Sequence, residues 1–145
     1  MPVSGLPDLR SPVVDNAPVT TERAVEIFAV VNFVVIGLSH IAQPRAWVEF
    51  FVLIRAKGNP GVFANAMLSL MMGSIIVAFH NVWTGVPAML TVIGWMQVLK
   101  GLVSLVVPSA GMKGMMRVSD ERAWEFQAAG ALFLIVAAAI VWSWA

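Results

Sequence analysis

Polar residues are gathered into short stretches of this chain, and between them run four almost uninterrupted apolar segments, at about 23–43, 62–80, 88–107 and 123–144. Runs of about 18 or more mostly apolar residues are long enough, as helices, to cross a hydrocarbon core about 30 Å thick. Within lipid the backbone must satisfy its own N–H and C=O groups, which makes the helix the form such a segment takes. The pattern therefore predicts an all-α membrane protein with four transmembrane helices.

The first span contains Asn32, Ser39 and His40 and stops at Pro44. In the segment RAWVEFFVLIRA that follows, Trp47, Phe50, Phe51 and Ile54 recur at helical spacing opposite Arg45, Glu49 and Arg55, which predicts an amphipathic helix lying in the interface. Gly58-Asn59-Pro60-Gly61 reads as the turn that ends it. The second span carries Asn65, Ser69, Gly73 and Ser74 and leaves the membrane at His80-Asn81-Val82-Trp83; Thr84-Gly85-Val86-Pro87 leaves room only for a tight hairpin. The third span holds Trp95, Gln97 and Lys100 and stops at Pro108, after which SAGMKGMMRVSDER forms a second interfacial linker. The fourth is nearly pure Ala, Leu, Ile and Val. Trp47, Trp83, Trp142 and Trp144 are expected to be interface anchors, because rings with a polar edge concentrate at the membrane–water boundary. Residues 1–22, with four prolines, read as an extramembrane leader ahead of a 23–145 transmembrane domain; they lack the basic start and apolar centre of a cleavable signal. Thr-Thr-Glu at the end of this leader suits a helix N-cap.

A shift of 64 residues, without gaps, lays Val34 on Val98, Gly37 on Gly101, Leu38 on Leu102, Pro44 on Pro108, Ala46 on Ala110, Ala64 on Ala128, Leu68 on Leu132 and Leu70 on Leu134. Matches among Ala, Leu and Val arise easily in membrane proteins. A tandem-duplicated helical hairpin is carried instead by Gly-Leu followed six residues later by Pro, and by the equal spacing of the next helices. With two spans per unit, the copies run parallel.

Composition narrows the function. Of 145 residues, 59% are hydrophobic and 12% charged, about half the roughly 25% of a soluble domain. A net charge of +1, with nine Lys and Arg scattered between helices, supplies no field for nucleic acid. The lipid bilayer is the partner that composition demands. The absence of cysteine excludes disulfides, thiolate zinc sites, iron–sulfur clusters and a Cys nucleophile. Arg45, Arg55, Lys57, Lys113, Arg117 and Arg122 lie in the two linkers, against Arg10 and Arg23 before the first span, so both linkers are expected in the cytoplasm and both termini outside.

The intramembrane polar candidates are Lys100, Glu125, Asn65, Gln97, His40 and Asn32. An ionisable group inside a span is costly and usually faces protein or water with a partner. Lys100 is the sharpest such feature, with Glu125 its expected partner and Glu49 the second choice; a stem that snorkels to the headgroups is the bland alternative. Asn32, Asn65, Ser69 and Gln97 are expected to face other helices and hydrogen-bond across them, as glue before any polar path. His40 and His80 invite a haem or metal reading, but they close their spans on opposite sides, so each is expected to bond the last carbonyls of its own helix. The nine methionines read as adaptable packing. No Ser/His/Asp set, phosphate loop or intramembrane carboxylate pair can be assembled, and neither catalysis nor a metal or cofactor is expected.

The run HNVWTGVPAMLTVIGWMQVLKGLVSLVVP resembles small bacterial integral membrane proteins whose second hairpin carries His-Asn-x-Trp, then Gly-Trp, Lys-Gly and Pro, here His80, Asn81, Trp83, Gly94, Trp95, Lys100, Gly101 and Pro108. The resemblance implies a bacterial inner membrane and no activity. Two functions are carried forward. One is an accessory or scaffold subunit packing against other membrane subunits or as a homo-oligomer. The other is a small oligomeric transporter or channel with a polar pathway around Lys100.

Overall fold

The structure, a computed structural model, describes residues 19–145. The Pro-rich stretch of the leader lies outside the described residues. Helix α1 (Thr21–Ala42) starts where Thr20 caps it, its hydroxyl accepting the backbone N–H of Arg23 at 3.2 Å. The last two residues assigned to the leader, Thr21 and Glu22, thus form the first turn, because a hydroxyl acceptor satisfies an otherwise orphaned N–H. Helix α2 (Pro44–Ala56) is the first linker and α3 (Asn59–Phe79) the second span. After the hairpin come α4 (Ala88–Val106), α5 (Pro108–Met116), a short 3₁₀ turn at Asp120–Arg122 and α6 (Ala123–Trp142). The chain is all-α among its described residues, and four of these helices are long and apolar enough to cross a membrane.

The expected turn at 58–61 is shorter in the structure. Gly58, at φ +66°, makes the break, and α3 already begins at Asn59 with Pro60 in its first turn. A proline there has no N–H to lose and its fixed φ suits a helix start.

The four long helices pair off. α1 lies along α6, and α3 along α4, with the linkers α2 and α5 covering one end of the bundle. That end is the linker face; the opposite one, with the Trp83 hairpin and the start of α1, is the hairpin face. Within each pair, glycines let backbones touch. A Cβ on Gly37 would lie 2.9 Å from the Gly130 carbonyl oxygen, and one on Gly101 would lie 2.9 Å from that of Ala66. The 64-residue shift takes Gly37 to Gly101 and Ala66 to Gly130, so it carries one close approach onto the other. It also takes α1, α2 and α3 onto α4, α5 and α6, with Pro44 and Pro108 opening the two linker helices.

Toward the hairpin face the two pairs close on each other through an apolar core of Val25, Ala29, Ile76, Leu90, Val136 and Ile140, with Ile93 and Trp144 packed against it. Ile76 and Ile140 are equivalent under the shift, as are Ala29 and Ile93, so the core is built around the relation between the units.

Candidate functional site

The polar groups form two sets, one at each end of the bundle. At the hairpin face the organising residue is Glu26, in the second turn of α1 and buried. One carboxylate oxygen meets His80 Nε2 at 3.2 Å, and the other accepts the indole N–H of Trp144 at 2.7 Å. Arg23, one turn earlier, stands 3.4 Å from the second oxygen with its guanidinium 4.6 Å above the Trp144 ring. Beyond the imidazole, the Thr91 hydroxyl donates to the Val82 carbonyl at 2.6 Å and lies 3.3 Å from His80 Nδ1. The imidazole thus lies between Glu26 on its Nε2 side and Thr91 on its Nδ1 side. His80 and Thr91 are fully buried. Together these contacts tie α1, the end of α3, the start of α4 and the chain after α6 into one charge-assisted set.

This network was partly missed by sequence reasoning, which assigned His80 to a helix end and Trp144 to an interface and passed over Glu26 and Thr91. In the structure Trp144 is half-buried and a hydrogen-bond donor, and His80 serves the carboxylate as well as closing α3. The available signal was topological, because the start of the first span and the end of the second must share a side. The shift adds another: His80 falls on Trp144, and both bond to Glu26, whose own equivalent is the fully buried Leu90.

At the linker face the candidates divide between two cavities separated by Phe51 and Val118. One, of about 360 Å³, is lined by Lys100, Asn65 and Ser104 together with Val103, Gly111, Gly114 and Met115. The other, of about 280 Å³, is lined by His40, Glu125, Arg122, Phe126 and Ala129. The two are equivalent, since the shift lays His40 on Ser104, Ala129 on Asn65 and Phe51 on Met115. In the first unit, aromatic rings fill the surroundings. His40 stacks at 4.2 Å on Trp47 and meets Phe126 at 5.4 Å, while Phe33 and Phe133 stack at 5.4 Å. Trp47 is fixed there by donating to the Ser39 hydroxyl at 3.0 Å, so it packs inside the fold at the linker face. His40 Nδ1–H donates to the Ile36 carbonyl at 2.8 Å, within its own helix as expected.

Lys100 does not meet Glu125. Glu125 pairs with Arg122 at 3.3 Å, three residues away, and lines the other cavity. Among the described residues no carboxylate lies in ion-pair range of the Lys100 ammonium. Asn32 also departs from its expected role, because its amide donates to the Phe28 carbonyl of its own helix at 2.8 Å. Gln97 lines neither cavity and follows the α3–α4 seam, where a Cβ on Gly73 would come within 2.9 Å of its own Cβ. Trp83 and Trp142 are exposed. Arg55 joins the linkers to each other, donating to the Met115 and Val118 carbonyls at 3.3 and 3.2 Å and so capping the end of α5. Among the described residues no three His, Asp or Glu side chains are grouped to hold a metal ion. Comparison of the chain with family models, characterised proteins and solved structures finds no match in any of the three.

Proposed function

We propose that the chain is a non-catalytic subunit that packs against other membrane-embedded proteins, a larger subunit or further copies of itself, in the cytoplasmic membrane of a bacterium. The observation that supports this reading is how the intramembrane polar groups are divided. Those at the hairpin face are consumed by the Glu26 network beside an apolar core, and those at the linker face are split between two cavities with Phe51 and Val118 between them. A route for a polar solute would need the two sets to join, and the core residues Ala29, Ile76 and Val136, deeper in their helices than the Glu26 network, stand in the way. The described chain also has little mass beyond its helices, so contacts made within the bilayer are what it has to offer.

The orientation in this reading has the linker face in the cytoplasm. It rests on Arg45, Arg55, Lys57, Lys113, Arg117 and Arg122, which belong to the linkers. A second reading, a small oligomeric transporter, is favoured by the sharing of one cavity by Lys100 and Asn65.

Extraction in a mild detergent followed by native mass spectrometry separates the two readings. A stoichiometric complex, with another membrane protein or with further copies, together with proteoliposomes that show no solute flux, is the outcome expected. A monodisperse assembly that carries flux, lost on replacing Lys100 by Met with assembly intact, overturns the subunit reading in favour of transport.

A further inference from the structure

We infer that the cavity between α3, α4 and α5 is a binding site for an amphiphile with an anionic head, a phosphate or a carboxylate, whose charge pairs with Lys100. Three features of the site define that chemistry. Lys100 is six residues from the end of α4 at Val106, about 9 Å along the axis, so its base sits within the apolar span. A cation at that depth is stabilised by an anion, and the described residues supply none within ion-pair range. Asn65 and Ser104 stand beside it as uncharged hydrogen-bonding groups, matching a head with several oxygen acceptors.

The rest of the cavity is apolar, with Phe51, Val103, Met115 and Val118 in its walls, so an inorganic anion would leave most of the lining unused. Its volume of about 360 Å³ is in the range of small-molecule sites. Exposed Lys100, Val103, Ala110 and Gly114 form the rim, and buried Ser104 and Met115 the floor. The equivalent region of the first unit differs in the residues that line it. There, Ile36 stands at the position of Lys100, and Trp47 and Phe50 stand where the second unit has Gly111 and Gly114. In the first unit those rings line a cavity of about 330 Å³, beside the one of about 280 Å³ at His40, and neither has a lysine in its wall.

The occupant is either a membrane phospholipid or a free fatty acid, and the experiment distinguishes them. The full chain, stripped of lipid in detergent, is titrated by native mass spectrometry with phosphatidylglycerol, palmitate and, as the zwitterionic control, phosphatidylcholine. One phosphatidylglycerol or one palmitate is expected to be retained per chain in preference to phosphatidylcholine, the better ligand naming the head. Binding should weaken about tenfold or more in Lys100→Met, as befits loss of a charge-assisted contact, and be kept in Lys100→Arg and in Lys113→Met, which removes a nearby exposed charge. Gly114→Phe should abolish it by filling the cavity. A Cβ at Gly114 meets nothing within 4 Å, so this arm does not depend on Lys100→Met folding. Equal retention of phosphatidylcholine, an equal loss in Lys113→Met, undiminished binding in Gly114→Phe, or no retained amphiphile overturns the inference.

Discussion

The two units of this protein share a skeleton and differ in what fills it. Around α1 and α6 the seam is aromatic, with Phe33 against Phe133 and His40 enclosed by Trp47, Phe126 and Phe133. At the equivalent positions around α3 and α4 stand Gln97, Ser69, Ser104, Gly111 and Val62. Both pairs approach closely through glycine, and the α3–α4 pair adds Gly73 and Gly94, whose Cβ atoms would come within 2.7 Å of the facing helix, where the other pair has rings. The difference teaches that helices in lipid associate by two routes. Large rings can interlock around a glycine contact, or further small residues can extend that contact and let weak polar groups act. At the linker end of the second seam Lys100 lines a cavity with Asn65 and Ser104.

The relation between the units is most exposed at Glu26, the point where they cease to be equivalent. Its counterpart Leu90 needs no partner, whereas Glu26 has drawn in both equivalent residues, His80 and Trp144. Replacing Glu26 by Leu should make the centre symmetric and nevertheless destabilise the protein by about 3 kcal/mol or more, because His80 and the Trp144 N–H are left without their acceptor. Thermal unfolding in detergent measures this. In the double variant with His80→Phe, much of the loss should return; simple additivity would mean that the two groups are not coupled.

Trp47→Gly gives the first unit the residue of the second. The ring packs on His40, Phe50 and Phe126 and is bonded to Ser39, so its removal should cost about 2–3 kcal/mol and expose His40 to a water-soluble alkylating reagent. Unchanged stability and protection would show that the aromatic seam is not what holds α1 to α6. Gly130→Ala tests the same pair from its other side. Its Cβ would lie 2.6 Å from the Gly37 carbonyl oxygen, and because a backbone atom cannot step aside, a loss of about 1–2 kcal/mol is expected. The equivalent Ala66→Gly, which only deletes a methyl, should lose less. Equal losses would mean that the two pairs are spaced alike.

How much of this was legible follows from the kind of information each feature carries. The four long helices, the first linker helix and the breaks at Pro44 and Pro108 are written locally, in runs of apolar residues and in proline, and were placed to within a few residues. The second linker was expected, but not that Pro108–Met116 of it is helical. The 64-residue shift was visible through Gly37, Gly101 and the two prolines, and it also lays the Gly37–Gly130 approach on that of Gly101 and Ala66. Pairing was the harder matter. Lys100 and Glu125 were matched because both stand near the linker face, but depth does not determine which side of a bundle a residue occupies, and α4 faces α3 while α6 faces α1. Glu26 was passed over because a single acid in the first turns of a span resembles an N-terminal charge meeting the helix dipole. Only the side chains of three other segments reveal that it is buried.

The smallest expected effect concerns Asn32. A polar amide in a span is ordinarily placed between helices, where it would be worth about 0.6 kcal/mol. Here the amide returns to the Phe28 carbonyl one turn back, which meets its own needs without any neighbour. The equivalent residue of the second unit, Met96, is largely exposed, so this position lies on the outward side of both units. Asn32→Met, which makes the two units alike, should therefore change the unfolding temperature by no more than about 0.5 kcal/mol allows. That expectation applies to the isolated chain. If the same substitution dissociates the native assembly in mild detergent while leaving the isolated chain as stable as before, the amide is exchanging its internal bond for one to a neighbouring protein, and this face of α1 is where the partner lies.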